Sequence, residues 1–124
     1  MKTNPIAWFE ISVTDMDRAK AFYEATFAFE IHVTDFGGTL MGWFPSAGAA
    51  PGATGSLVQN ESYVPSHEGT LVYFASEDAQ IELDRIEEAG GKILQKKTQI
   101  SPEHGYMAVF EDTEGNRVAL HSSK

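Results

Sequence analysis

An internal repeat is the feature of this sequence that most limits the folds open to it. One constant shift in residue number carries Gly52 onto Gly115, each in a turn sequence, and Leu57 onto Leu120, each on a closing strand. The shift slips a little where "MGWFP" corresponds to "MAVFE", and loops absorb such slack at low cost. The repeat therefore predicts two copies of one β-α-β-β-β unit.

Each copy opens with a strand followed by a helix. Apolar residues at helical spacing follow Asp15, which suits a helix N-cap, and the same shift places Asp78 at the second helix start. On the second helix we expect Ile81, Ile86 and Ala89 to face the core. A unit with one helix and a run of three strands after it fits an α+β fold with mixed sheets.

The first strand, "WFEISVTD", alternates in hydrophobicity, which predicts that Phe9, Ile11 and Val13 face the helix. Trp8 and Glu10 then lie on the opposite face. A curved mixed sheet with its helix on the convex side makes that opposite face concave, and two such units side by side would enclose a cleft. We therefore expect the polar face of this strand to belong to a pocket wall.

The length of 124 residues fits one domain, with module one at about residues 1–60 and module two at about residues 68–124. The chain has no cysteine, which excludes disulfides, thiolate zinc sites and cysteine nucleophiles. Its net charge of −9 disfavours nucleic acid as a partner. The acidic surface either attracts cationic small molecules or only keeps the protein in solution. No apolar run has the length of a signal peptide or membrane span, so we expect a cytoplasmic protein without membrane contact.

Three stretches, "SVTDMDRAKAFYEATFAFEI", "YFASEDAQIELDRIEEAGGKI" and "FEDTEGNRVALH", together resemble the vicinal oxygen chelate superfamily. This superfamily contains glyoxalase I, bleomycin-resistance proteins and extradiol dioxygenases. The resemblance implies two βαβββ modules around a concave site. It also implies a homodimer, because bleomycin-resistance proteins build their sites across a dimer.

The resemblance also implies where a catalytic metal would be bound, since catalytic members hold a divalent ion with His, Gln and Glu from the first and last strands of each module. The matching positions here are Trp8, Ser56, Leu71 and Ala119. Three of these have no ligand atom, and a lone serine hydroxyl is a poor ligand. We therefore predict no metal cofactor at this place. A shifted register leaves four candidate ligands, namely Glu10, His104, Glu111 and His121.

The candidate ligand site combines large aromatic and polar side chains. Its members are Trp8, Glu10, Trp43, Ser56, Tyr73, Tyr106 and His121. Any single aromatic residue among them could instead be core. Glu10 is open to three interpretations: a general base, a counter-charge for a cationic ligand, or a structural hydrogen-bond acceptor. His121 is either an acid or base or a solvated residue near the terminus.

These observations predict a metal-free protein that binds a small organic molecule, cationic or aromatic, in a concave pocket. One alternative is a glyoxalase-like lyase or isomerase that uses Glu10 as its acid or base, or a divalent metal in the shifted site. A further alternative is a regulatory or partner-binding module whose cleft is packed.

Overall fold

The computed structural model describes residues 2–124, which form two four-stranded sheets and two helices. None of the helices in this range is long and apolar enough to cross a membrane. The elements in chain order are β1 (Phe9–Ser12), α1 (Met16–Phe27), β2 (His32–Phe36), β3 (Thr39–Trp43), β4 (Gly55–Gln59), β5 (Tyr73–Ala75), α2 (Ala79–Ile86), β6 (Lys92–Ser101), β7 (Gly105–Glu111) and β8 (Arg117–Ser122).

Both sheets are mixed and have the same topology. Sheet 1 has the strand order β1-β4-β3-β2 and sheet 2 the order β5-β8-β7-β6. In each sheet the first and last strands of the unit pair in parallel, and the other neighbours pair antiparallel. Within residues 2–124 no backbone ladder joins β1 to β5. The predicted α+β fold of two β-α-β-β-β units is confirmed.

The repeat is visible in the strand register. Glu10 pairs with Ser56 between β1 and β4, and the constant shift of the repeat turns this pair into Tyr73 and Ala119, which pair between β5 and β8. Because a register slip by one position would move every side chain to the other face, equal register gives the two sheets matching faces. A position in sheet 1 can therefore be compared directly with its counterpart in sheet 2.

The slip seen in the sequence lies between the third and fourth strands of each unit. Met41 pairs with Val58, and Met107 pairs with His121. Met41 is farther along the chain from its partner than Met107 is from its own, so the β3–β4 connection is the longer of the two. The longer connection is the loop of residues 44–54, and the shorter is the turn of residues 112–116.

Both helices begin where the sequence predicts. The Asp15 carboxylate accepts a hydrogen bond from the Arg18 amide at 3.1 Å, and that of Asp78 accepts one from the Gln80 amide at 3.0 Å. Each aspartate has an extended backbone, as an N-cap residue requires. These caps satisfy amides at the helix start that have no partner within the helix.

The buried side of α2 differs in part from the prediction. Ile86 is buried and Ala89 packs against the core, but Ile81 is 42% exposed, so its predicted burial is wrong. Ala79 and Leu83 are buried instead. Since α2 starts at Ala79, the spacing i, i+4, i+7 aligns Ala79, Leu83 and Ile86 on one stripe, and Ile81 lies off that stripe.

The helix-facing side of β1 agrees with its sequence pattern. Ile11 and Val13 are buried, and Phe9 packs against the core they belong to. Trp8 and Glu10 lie on the opposite face and are exposed. Burial of the branched aliphatic side chains contributes about 1.5 to 3 kcal/mol each, which fixes the register of this strand.

Helix α1 packs against both sheets. The Tyr23 ring lies 5.5 Å from the Phe44 ring beside sheet 1 and 6.0 Å from the Phe74 ring of sheet 2, centroid to centroid. The Phe22 ring lies 5.9 Å from that of Phe110 in β7. The two units therefore share one hydrophobic core.

The β7–β8 turn anchors the N-terminus of α1 through Glu114. Its carboxylate accepts hydrogen bonds from the amides of Thr14 at 2.9 Å and Asp15 at 2.8 Å, and from Arg18 Nε at 2.7 Å. Burial opposes ionisation of Glu114, but the bonds from Arg18 and the two amides outweigh it and lower its pKa to about 2. The anchor is a charged acceptor at the positive end of the helix dipole.

The same turn contacts three other parts of the molecule. Asp112 accepts a hydrogen bond of 2.8 Å from the Tyr23 hydroxyl, and burial raises the pKa of both groups. The Asn116 side chain donates to the Ser12 carbonyl at 2.7 Å and accepts from the Ser66 amide at 3.1 Å. The turn thus connects sheet 2 to α1, to β1 and to the connector of residues 60–72.

Candidate functional site

The face of sheet 1 opposite α1, here called the open face, carries a row of three predicted site residues. Ser56 is paired with Glu10 on one side and with Trp43 on the other, so the three side chains project from the same face. Trp8, two positions before Glu10, packs edge-on against Trp43 with ring centroids 5.4 Å apart. The structure therefore brings together Trp8, Glu10, Trp43 and Ser56.

The aromatic surface continues across β2. The Phe36 ring lies 6.3 Å from the Trp43 ring, and Trp43 Nε1 donates a hydrogen bond of 3.1 Å to Thr34 Oγ1. Phe36 is 55% exposed and Trp8 is 38% exposed, so both ends of this aromatic stripe are accessible. Sequence reasoning missed Phe36, although alternation in β2 puts it on the same face as Thr34.

Glu10 has a hydrogen-bond partner from outside the sheet. The Tyr63 hydroxyl, on the connector, donates to Glu10 Oε1 at 2.9 Å. This bond and the charge of the carboxylate raise the pKa of Tyr63, because the phenolate would lose the bond and meet a like charge. The contact is exposed, so Glu10 remains accessible to a ligand. No short-range sequence signal identifies Tyr63, which lies 53 residues away.

Ser56 occupies the middle of the row and is fully buried. Its Oγ has no hydrogen-bond partner among the residues that the structure describes. A buried hydroxyl without a partner is costly, by about 1 to 3 kcal/mol. Ser56 is thus a polar position held beneath the aromatic stripe.

Tyr73 and His121 lie on the corresponding face of sheet 2. Tyr73 is paired with Ala119 and is 50% exposed. His121 pairs with Met107, and its Nε2 lies 2.6 Å from the His104 carbonyl oxygen. Because a carbonyl only accepts, this nitrogen carries the proton and donates it in the hydrogen bond. Both residues are therefore on the face predicted for them.

Tyr106 is separated from the other candidates. It pairs with Ser122, whose hydroxyl accepts a hydrogen bond from the Ala79 amide at the start of α2. The Lys97 ammonium lies 4.7 Å from the centre of the Tyr106 ring. Tyr106 directly precedes Met107, and neighbours in a strand point to opposite faces. The sequence pattern predicts Tyr106 among the residues of the cleft, and the structure places it instead on the helix side of sheet 2.

The matched metal positions do not fit a divalent cation. Ser56 Oγ is the one ligand atom that the four matched side chains offer, since Trp8, Leu71 and Ala119 have none. Among residues 2–124, no group of three or more His, Asp or Glu side chains is placed to hold a metal.

The shifted metal candidates are engaged elsewhere. Glu111 Oε1 lies 2.7 Å from His67 Nε2 on the connector, and Glu10 accepts from Tyr63. His104 Nδ1 lies 2.9 Å from Ser101 Oγ. Each of these side chains has a different hydrogen-bond partner, and none of these bonds joins the side chains of two candidates.

Two grooves lie beside β1 and β5. Groove 1 has a volume of about 370 Å³ and runs between β1, the connector and the start of β8; its charged lining residues are Glu10, Glu68 and Arg117. Groove 2 has a volume of about 560 Å³ and runs between Trp8, the β3–β4 loop and β5. Both fall within the size range of small-molecule sites.

Solved structures with the same fold include glyoxalase I from Zea mays, with a TM-score of 0.71 and 19% sequence identity. The match covers 96% of this chain but 46% of the maize chain, so the present chain spans about half of that protein. An antibiotic binding protein from Streptomyces matches with a TM-score of 0.66 and 22% identity, over 100% of this chain and 99% of the other. At these identities the likeness concerns the fold alone.

Sequence comparison gives the family. A glyoxylase-like domain-containing protein from Didymella fabae is 28% identical over 127 residues, which covers 93% of this chain and 91% of the relative. The family model described as Glyoxalase/Bleomycin resistance protein/Dioxygenase superfamily matches residues 5–120. The chain therefore belongs to the glyoxalase, bleomycin resistance protein and dioxygenase superfamily.

Proposed function

We propose that this protein binds a small organic molecule on the open face of sheet 1 without a metal ion. The observation that carries the proposal is the accessible aromatic stripe of Trp8, Trp43 and Phe36 beside the Glu10 carboxylate. Flat rings bury a large apolar area at small entropic cost, so they suit an aromatic ligand. A few polar groups beside such rings then fix its orientation.

The ligand class that best matches this face is a cationic aromatic molecule. A cation within about 6 Å of an indole ring is attracted to its face, and Glu10 adds a full negative charge beside the stripe. The net charge of −9 attracts cations to the molecule from a longer distance. A neutral aromatic molecule would stack on the rings but would not be attracted by the Glu10 carboxylate or by the net charge.

One solved structure and the family description support binding as the role of this chain. One solved structure that it resembles is an antibiotic binding protein, and the superfamily includes bleomycin resistance proteins. We further propose that the chain forms a homodimer in which a second copy covers part of the open face. A second copy that lies over the bound ligand, rather than in its place, would shield Trp8 and Phe36 further from water, which favours association.

A matched pair of probes tests the proposal: 10-methylacridinium, a permanent cation, and acridine, which is neutral at pH 8. For Glu10→Gln we expect 10-methylacridinium to bind about tenfold more weakly in calorimetry, whereas acridine changes by less than about twofold. For Phe36→Ala we expect both probes to weaken, and Val33→Ala, on the other face of β2, is the control.

Two results would overturn the proposal. One is the absence of binding of either probe to the native protein at millimolar concentration. The other is an equal response of both probes to Glu10→Gln, which would show that the carboxylate does not act as a counter-charge. Tightly bound, stoichiometric metal in the purified protein would overturn the metal-free part.

A further inference from the structure

Groove 2 has a chemical character unlike that of the rest of the surface. None of its lining residues carries a charge, although 22% of the residues in the chain are charged. Its roof is the β3–β4 loop, which contributes small side chains such as Ala47, Ala50 and Ala53. An uncharged groove of about 560 Å³ on an acidic protein has the size and polarity of a site for an apolar molecule.

The floor of groove 2 is a set of aromatic rings fixed by mutual contact. The Phe44 ring lies 5.7 Å from that of Phe9 and 5.4 Å from that of Phe74, and the Phe9 and Phe74 rings are 5.9 Å apart and perpendicular. Trp8 and Tyr73 line the same groove and are partly exposed. Rings held in this way present a rigid apolar surface, which lowers the entropic cost of binding.

The groove is open because the loop above it lacks the polar anchor of its counterpart. The constant shift that relates the two sheets places Ala53 where the other unit has Asn116. The Asn116 side chain lines groove 1, donates a hydrogen bond to the Ser12 carbonyl and accepts one from the Ser66 amide. Alanine has no group to make such bonds, and groove 2 is accordingly larger than groove 1, at about 560 against 370 Å³.

We propose that groove 2 is a second binding site, for a neutral planar aromatic molecule, distinct from the open face and bordering it at Trp8. A charged ligand would be desolvated there without a counter-charge, which is costly. A neutral ring can pack on the phenylalanine floor in edge-to-face or offset geometry. The site does not depend on Glu10, which lines groove 1 and not groove 2.

The test uses N-phenyl-1-naphthylamine, a neutral probe whose fluorescence rises in apolar surroundings. In Ala47→Glu a carboxylate enters the lining of the groove, and we expect the probe to bind at least about tenfold more weakly. Ala49→Glu is the matched control, because Ala49 lies nearby in the same exposed loop and does not line groove 2. We expect that variant to bind the probe within about twofold of the native protein.

Three results would overturn the site: no binding of the probe to the native protein, equal binding by both variants, or equal weakening in both. A change in oligomeric state for Ala47→Glu alone would show that a second copy occupies the groove, which also contradicts the proposal. Glu10→Gln separates the two sites. It should leave N-phenyl-1-naphthylamine unaffected while it weakens 10-methylacridinium, so either site can fail while the other stands.

Discussion

The β3–β4 loop and the β7–β8 turn occupy equivalent places in the two units but have opposite chemistry. Gly52 and Gly115, which the repeat aligns, have φ angles of 93° and 92°, so the backbone conformation is shared at that point. The side chains around these glycines are not shared. The turn has Asp112, Glu114 and Asn116, and at the positions that the repeat aligns with them the loop has Ala49, Pro51 and Ala53.

The difference shows that equivalent places in the two units need not have the same side-chain contacts. The polar turn stabilises the structure, because its three side chains bind α1, β1 and the connector. The loop has none of these side chains and leaves a groove over the aromatic floor. One copy of the repeat thus anchors its neighbours, and the other leaves the groove that we propose as a binding site.

The largest effect is expected from removing the anchor of the turn. Glu114→Ala leaves Arg18 and the amides of Thr14 and Asp15, just before α1, without their acceptor. We expect a loss of about 3 to 5 kcal/mol in the free energy of unfolding. Urea denaturation measures it. Glu103→Ala, at an exposed turn residue, is the control and should change stability by less than about 0.5 kcal/mol. Equal stability of the two variants would contradict the anchoring role.

Part of this stabilisation depends on pH. The folded-state pKa of Glu114 is about 2, below its ordinary value of 4.5, so its contribution is present above pH 4.5 and is lost as the pH falls toward 2. The pKa of Asp112 is raised, so its contribution to stability has the opposite dependence on pH. The stability of the native protein as a function of pH therefore contains both contributions. The difference between native protein and Glu114→Gln isolates Glu114. This difference should shrink between pH 5 and about pH 2, and a constant difference would contradict the assignment.

A smaller effect is expected at the position that distinguishes the two grooves. Asn116→Ala removes bonds to the Ser12 carbonyl and the Ser66 amide, and we expect about 2 kcal/mol of destabilisation. The converse variant, Ala53→Asn, should change stability by less than about 0.5 kcal/mol, because the new side chain lies in an exposed loop. Equal effects of the two substitutions would contradict the inference that Asn116 anchors the turn and that Ala53 has no such role in the loop.

The smallest effects concern the two aligned glycines. A Cβ added at Gly52 or at Gly115 would have no contact within 4 Å outside its own stretch of chain. The cost of a side chain at either position therefore comes from the positive φ alone. We expect Gly115→Ala to cost about 1 kcal/mol, from the left-handed backbone alone. Gly52→Ala should cost the same or less, since a longer loop can relax. Thermal unfolding of both variants measures this, and a larger cost at Gly52 would reverse the comparison.

Much of the fold followed from the repeat and from alternation. The constant shift predicted a repeated β-α-β-β-β unit, and the alternation in β1 predicted which side of that strand faces the helix. Ile81 was assigned wrongly although the helix start was predicted, because a residue five positions before Ile86 lies roughly 140° from it around the helix. The division into modules at about residues 1–60 and 68–124 stays a prediction.

The sequence predicted the candidate site less completely than it predicted the fold. Trp8, Glu10, Trp43 and Ser56 were predicted and lie together on the open face, and their binding role stays a proposal. Tyr63 was missed because its contact with Glu10 spans 53 residues and comes from an irregular connector. No periodicity describes such a segment. Groove 2 was missed for a similar reason, because its volume depends on the small side chains of the irregular β3–β4 loop.

The packing of α1 against both sheets has a consequence for how the chain folds. The repeat suggests two modules, yet the rings of Phe22 and Tyr23 in the first copy contact Phe110 and Phe74 in the second. Half-chains separated within residues 60–72 would each expose part of this aromatic interface to water. We therefore expect the whole chain to melt in a single cooperative transition, and the halves to become structured only when they are mixed.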